Sequence, residues 1–335
     1  MSDLVNRQWL LAQRPKGVPS SDDFRWHEGT VARPQEGEVL VKNLYLACEP
    51  TQLGWAAGET YLPAVGLGEV MRSLGAGEIL ESRDPAFKVG QRVQGLLGWQ
   101  DFATVSASGH YPMLPLLSDA PLEASLSILG NTGMTAYFGM LDIGKPKPGE
   151  TVVVSAAAGA TGSVAGQIAK IQGCRVVGIA GGEDKCRYLV EQLGFDAAID
   201  YKRENLLSRL RQTCPQGIDI YFDNVGGKTL DAAFLYLALR GRVVLCGAIS
   251  GYADPGAMTG PRNYLRLLRQ RGRMEGFIVL DYLHRAEEAM LALRDWHERG
   301  LLKDRVDVLS GLEQAPVALR RLFTGENQGK QLVRL

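Results

Sequence analysis

Residues 155–163 read Ser155-Ala156-Ala157-Ala158-Gly159-Ala160-Thr161-Gly162-Ser163, an A-x-x-G-x-x-G segment. Its chemistry is that of the backbone. Small residues let the main chain approach a pyrophosphate, and a helix starting there offers unpaired N–H groups and a positive dipole end. A glycine-rich loop carries weight only between a buried strand and a helix. Thr151–Ser155 is an apolar run and a helical pattern follows through Ile171, so that context is met.

The next chemistry lies ~20 residues further on, where dinucleotide sites usually place an acid on the ribose 2′-hydroxyl. Here the second strand, Arg175–Ala180, ends in Gly181-Gly182, which offer no side chain. Lys185 follows as a cation for a 2′-phosphate, and Tyr201 stands just after the third strand. Glu183 and Asp184 argue the other way, although acids also favour a helix start for its dipole alone. The balance predicts NADP rather than NAD.

Metal chemistry needs converging ligands. The four histidines (27, 110, 284 and 297) are scattered, Leu67 precedes Gly68-Glu69 where a histidine would be wanted, and Cys48 lacks an evident partner. No metal site is expected. No tyrosine has a lysine four residues on, and there is no G-x-S-x-G elbow. Alcohol oxidation is therefore poorly served. Conjugate reduction asks for less: hydride from a nicotinamide to a β-carbon, and one or two hydrogen bonds to the developing enolate oxygen.

The elements that must position these residues follow from the rhythm of apolar runs. From about residue 37 to 110, short glycine-broken strands (Glu38–Leu46, Gly77–Glu81, Gln91–Gly95, Trp99–Val105) suggest a β-rich, barrel-like domain. Residues 112–121 read as a proline-rich connector and Leu122–Met140 as a helix. From 151 on, buried-type strands at Thr151–Ser155, Arg175–Ala180, Ala197–Asp200, Ile218–Asp223, Val243–Ala248 and Met274–Leu280 alternate with helices. That pattern predicts an α/β fold with a six-stranded, doubly wound parallel Rossmann sheet. A helix at 281–299 precedes a tail with one further helix, Leu312–Phe323, which is expected to return to the first domain. The expected division is 1–122 with 300–335 for a β-rich substrate domain and 123–299 for the NADPH-binding domain.

The bulk numbers agree with two ordinary globular domains. The 335 residues are 45% hydrophobic and 22% charged, and 37 basic residues balance 37 acidic ones. Nothing recruits nucleic acid or an anionic membrane. The N-terminus lacks a secretory pattern, no apolar run reaches the ~18 residues of a membrane span, and the five cysteines form no C-x-x-C. A cytoplasmic setting is expected.

The chain resembles a known family at Thr135-Ala136-Tyr137, at Ala156–Ser163 with Gly166-Gln167-Ile168-Ala169-Lys170, and at Gly194-Phe195-Asp196. The likeness continues through Tyr221–Gly227, Cys246–Tyr252 and Gly329-Lys330. These segments, in this order, are similar to the zinc-independent medium-chain dehydrogenases/reductases of the leukotriene hydroxydehydrogenase, prostaglandin reductase, curcumin reductase and alkenal double-bond reductase group. The resemblance implies a GroES-like substrate domain and NADP(H)-dependent reduction of enals and enones. It implies cofactor contacts at Gly159, Ala160, Thr161, Gly162, Lys185, Tyr201 and Asn224. Further contacts are implied at Cys246, Gly247, Ala248, Ile249, Ser250, Gly251 and Tyr252, at Phe277, Ile278 and Val279, and at Asn327. Tyr252 matches a tyrosine that orients or stabilises the substrate carbonyl, and Tyr61 a pocket-lining loop. Members are often homodimers.

The chain departs from the family where an Asp-Pro-Tyr-Met-Arg stretch is usual; it has Glu49-Pro50-Thr51-Gln52-Leu53. The Met-Pro-Gly before Thr-Ala-Tyr is Asn131-Thr132-Gly133-Met134, and the proline-rich loop after Tyr252 shrinks to Asp254-Pro255-Gly256. Cofactor binding is thus expected to be intact and the substrate pocket altered. Two alternatives stay open: an NADPH:quinone oxidoreductase and a non-catalytic NADPH-binding protein.

Overall fold

Valine-rich runs form the centre of the fold because β-branched side chains fit a pleated surface covered on both faces. The computed structural model describes residues 4–108, 111–116, 120–254, 256 and 260–335. Residues 1–3, His110, part of the proline-rich connector (117–119) and Pro255 lie outside the described residues. The chain divides into two compact units, Met1–Leu126 with Val306–Leu335, and Ser127–Arg305.

In the second unit six strands pair in parallel in the order Ala197–Asp200, Arg175–Ala180, Thr151–Ser155, Ile218–Asp223, Leu237–Leu245, Arg273–Gly276. The expected Rossmann sheet is present. Every residue of Thr151–Ser155 is buried, as is all but the first of Arg175–Ala180. Chain order reverses between Thr151–Ser155 and Ile218–Asp223, so the crevice for a ligand opens at the carboxyl ends of those two strands.

Three boundaries differ from the sequence expectation. The single helix over Leu122–Met140 is instead Leu122–Ser125, a turn, Asn131–Phe138 and a wide turn Gly139–Gly144. Gly130-Asn131-Thr132-Gly133 is a poor helical stretch, and the chain folds back closely there: a methyl group on Gly133 would stand 1.8 Å from the Ile128 carbonyl oxygen, so only glycine allows the approach. The fifth strand starts earlier, at Leu237, because a register shift between Ile218 and Ile220 lets it pair sooner. The sixth is only Arg273–Gly276, and a 3₁₀ turn (Val279–Arg285) leads into the helix Ala286–Glu298.

The first unit is β-rich, as expected. Its larger sheet runs Val306–Ser310, Lys330–Arg334, Glu38–Ala47, Leu74–Ser82, Arg92–Leu96, Leu114–Pro115, with Phe102–Ser106 also on Glu38–Ala47. Val39, Val41, Ile79, Val93, Leu97, Ala103 and Met113 form one of its buried clusters. Two elements here were not anticipated. One is the antiparallel hairpin Val5–Leu11 with Phe24–Thr30, and the other is the helix Thr51–Ala57. The hairpin was hidden because its strands alternate charged and aromatic residues across a long connection rather than a tight turn.

Candidate functional site

The glycine turn is built as the sequence requires. Ala156 adopts a left-handed φ of 47°, and Gly159 N–H donates to the Ala156 carbonyl at 2.9 Å. Gly159 caps the helix Ala160–Ile171 without any side chain closing it, which leaves first-turn N–H groups facing outward. A methyl group on Gly162 would stand 2.4 Å from the Ala156 carbonyl oxygen, so only glycine fits. Close packing of this helix falls mainly to Gly166, whose added methyl would meet Phe195 Cζ, in the loop before the strand Ala197–Asp200, at 2.0 Å. The sequence reading gave Gly166 no such role.

At the end of the second strand, a methyl group on Gly181 would lie 2.9 Å from Tyr201 Cε1 and 3.0 Å from Lys202 Cε. Both side chains therefore fold back over Gly181. Asp200 Oδ1 fixes this corner, accepting the Gly182 N–H at 2.8 Å and the Lys202 N–H at 3.1 Å. Lys185 lies on the short helix Glu183–Arg187 beside it. The acidic neighbours are engaged elsewhere: Glu183 pairs with Arg203 at 3.2 Å and Asp184 with Arg187. Lys202 was missed, although a lysine directly after Tyr201 was a readable signal.

The switch point is held by one buried carboxylate. Asp223 Oδ1 accepts N–H groups from Val225 (3.0 Å) and Gly226 (2.9 Å) and the Ser155 hydroxyl (3.0 Å). Burial raises the Asp223 pKa, and the Gly226 and Val225 N–H groups oppose that rise. Asn224 ties the two strand ends together, its Nδ2 donating to the Ser155 carbonyl at 2.7 Å. Sequence reading quoted Asp223 only as part of a motif; its role depends on which strands are neighbours.

After the fifth strand, Cys246 and Gly247 N–H groups donate to the Asp223 carbonyl at 2.9 and 3.0 Å. Ile249 N–H reaches the Asn224 carbonyl and Ser250 N–H the Val225 carbonyl. These bonds fold Ile249–Tyr252 into one short helix against the Asn224–Gly227 turn. The Tyr252 hydroxyl accepts the Ala248 N–H at 3.1 Å, and a methyl group on Gly247 would stand 3.2 Å from it. Burial raises the Tyr252 pKa, with the Ala248 N–H opposing, so the phenol stays protonated at neutral pH. Burial likewise pushes the Cys246 thiol up to about 12, which leaves it unreactive as a nucleophile.

Within the second unit the structure thus gathers Gly159–Gly162, Lys185, Tyr201, Asn224 and Cys246–Tyr252 along the carboxyl ends of the sheet. Phe277, Ile278 and Val279 follow the sixth strand, and a methyl group on Gly139 would meet Phe277 Cζ at 2.5 Å. Tyr61 and Asn327 belong to the β-rich unit. Tyr61 shares a 3.1 Å hydrogen bond with Thr51, and Asn327 Nδ2 donates to the Gly329 carbonyl at 2.9 Å.

In the β-rich unit burial pushes the Cys48 thiol up to about 12, Leu67 is exposed, and Glu69 accepts the Gly66 N–H. Among the described residues no group of three or more His, Cys, Asp or Glu is placed to hold a metal ion. No helix among them is long and apolar enough to cross a membrane.

Two families match the sequence. One described as "N-terminal domain of oxidoreductase" covers residues 7–113, and one described as "Zinc-binding dehydrogenase" covers 160–295. The chain is 41% identical over 338 residues to the NADPH-dependent curcumin reductase of Escherichia coli (strain K12), spanning 98% of this chain and 97% of that one. It is 40% identical over 342 residues to the NADP(+)-dependent 2-alkenal reductase of Nicotiana tabacum, spanning 99% and 98%. The crystal structure of CurA in complex with NADPH from Vibrio vulnificus superimposes with a TM-score of 0.91 at 40% identity, over 98% of each chain.

Proposed function

This chain belongs to the zinc-independent medium-chain dehydrogenase/reductase family, and from that premise we propose that it reduces the carbon–carbon double bond of α,β-unsaturated aldehydes and ketones with NADPH. Bound NADPH supplies the hydride that adds to the β-carbon, and the α-carbon takes a proton from solvent. The residues fit that cofactor. The uncapped helix start at Gly159, with Ala160, Thr161 and Gly162, accommodates a pyrophosphate. Lys185 and Tyr201, joined by Lys202, take the 2′-phosphate. Their corner presents cations while Glu183 and Asp184 are occupied by arginines. Asn224, Cys246–Tyr252 and Phe277–Val279 line the nicotinamide end.

The observation that carries the reading is the Tyr252 hydroxyl. It accepts the Ala248 N–H above Gly247, and its own proton has no acceptor among the described residues. That proton is available to a substrate carbonyl oxygen as negative charge builds on it. Tyr252 is the proposed catalytic residue, and Tyr61 the proposed pocket-lining residue.

The same reading assigns 1–122 and 300–335 to a β-rich substrate domain and 123–299 to the NADPH-binding domain, which also carries Tyr252. It takes a small-molecule enone or enal as the partner, the cytoplasm as the setting and a homodimer as the assembly.

The test is a panel of enones and quinones assayed with NADPH and NADH, for the natural chain and Lys185→Ala. Enone turnover with NADPH above quinone turnover is expected. Lys185→Ala is expected to weaken NADPH binding by about 1.5–3 kcal/mol, as for a charge-assisted hydrogen bond, and to leave NADH nearly unchanged. Quinone turnover alone, or tight NADPH binding with no acceptor, sinks the proposal.

A further inference from the structure

Asp223 grips two segments of the second unit at once, one with its side chain and one with its backbone. It ends the strand Ile218–Asp223 and is 0% exposed. Its Oδ1 takes the Val225 and Gly226 N–H groups and the Ser155 hydroxyl, and that hydroxyl oxygen accepts the Asn224 N–H at 2.9 Å. The turn so held runs through Gly226 and Gly227 with left-handed φ of 71° and 54°. The Asp223 carbonyl meanwhile takes the Cys246 and Gly247 N–H groups, where the segment leading to Tyr252 begins.

The turn in turn carries Tyr252. The Ser250 hydroxyl donates to the Val225 carbonyl at 2.6 Å, and the Ser250 N–H donates to the same oxygen at 3.1 Å. A methyl group on Gly227 would stand 2.9 Å from Ser250 Oγ, and one on Gly226 3.1 Å from Ala248 Cβ. Contacts this close leave no slack between the turn and the short helix Ile249–Tyr252. Ala248 is also the residue whose N–H the Tyr252 hydroxyl accepts. A shift of the turn therefore moves both ends of the bond that aims the phenol.

Charge strengthens the grip. Burial raises the pKa of Tyr221, Cys246 and Tyr252, and the Asp223 charge adds to each rise, so all three are neutral at neutral pH. The carboxylate is the one charge among these four groups, and the hydrogen bonds it accepts favour that form. A charged acceptor bonds roughly twice as strongly as a neutral one, so an amide in its place holds the turn less firmly.

We propose that Asp223 is a positioning residue for the hydride-transfer step, holding Tyr252 in the orientation that meets the substrate carbonyl. The inference rests on the enone-reductase reading with Tyr252 as hydrogen-bond donor, and deepens it. Asp223 acts on the reaction through the turn and the short helix alone.

The test is a double-mutant cycle on enone reduction between Asp223→Asn and Tyr252→Phe, at saturating NADPH because the same turn carries Asn224. Asp223→Asn should lower kcat by about tenfold with a smaller change in the enone KM, since misplacement by ~1 Å can cost about 100-fold. In Tyr252→Phe the same substitution should cost less than about twofold more, because the group it positions is gone. Ser155→Ala removes one donor from Oδ1 and keeps the charge. It should show a smaller loss that also vanishes in Tyr252→Phe, and it serves as the cycle if thermal unfolding shows Asp223→Asn unfolded. Amide hydrogen exchange of the NADPH-free protein should be faster across residues 246–252 in either variant. Losses of the same factor with and without the Tyr252 hydroxyl, or unchanged exchange and kcat, would overturn the inference while the role of Tyr252 stands. An unchanged kcat in Tyr252→Phe alone fails the underlying reading and the inference with it.

Discussion

Tyr252 carries the least redundant role proposed at the scale of single residues. Its oxygen already accepts the Ala248 N–H, which polarises the phenol and aims the remaining proton. A hydrogen bond that strengthens as charge develops lowers the barrier more than it tightens ground-state binding. Tyr252→Phe is therefore expected to lower kcat by about 10- to 100-fold with a smaller change in KM. NADPH affinity should stay within about threefold, since the ring remains and RT ln 3 is ~0.65 kcal/mol. The measurement is steady-state kinetics with a deuterated cofactor to show that hydride transfer limits the rate. An unchanged kcat under that condition reduces Tyr252 to a wall of the pocket.

Secondary-structure elements separate two uses of glycine on one helix. Gly162 abuts the Ala156 carbonyl in the cofactor turn, a backbone atom that cannot swing aside, whereas Gly166 abuts the Phe195 ring in the loop before the strand Ala197–Asp200. Overpacking of either kind costs about 1–3 kcal/mol. Gly162→Ala is expected to lose that stability and also to weaken NADPH at least about tenfold, because the turn itself must shift. Gly166→Ala is expected to lose stability while NADPH affinity stays within about threefold. Thermal unfolding together with fluorescence titration of NADPH decides it. Equal effects of both substitutions on NADPH would count against the assignment of the turn.

Over the whole molecule, the strand Arg273–Gly276 ends the parallel sheet with all four residues exposed. An unpaired edge of this kind is a template for a second chain. Leu239, Leu265, Leu268 and Met274 are exposed on the elements around it, Leu268 by 76%. These features support a homodimer whose interface includes that edge. Light scattering at micromolar concentration is expected to give twice the 36.4 kDa chain mass. Leu268→Glu combined with Met274→Glu is expected to give the single-chain mass with NADPH binding retained. A natural chain that runs as a monomer across that range would refute the interface.

The sequence by itself determined the Rossmann sheet, because six apolar runs spaced by helical stretches leave a chain of this length few other ways to bury them. It also determined the glycine turn and the phosphorylated cofactor, since both are local: Gly159 and Gly162 sit beside one strand end, and Gly181-Gly182 removes the acid from the next. Family likeness supplied Tyr252, whose residue type alone says nothing about its role. Only the tertiary structure decided which groups meet. That Asp223 binds Ser155, that Lys202 lies over Gly181, and that Arg72 stands over Trp55 all join residues that are not neighbours in the chain. The helix expected over Leu122–Met140 is interrupted for a reason the sequence did carry: Gly130, Asn131, Thr132 and Gly133 are poor helix formers, and the missing side chain at Gly133 lets the chain fold back against the Ile128 carbonyl.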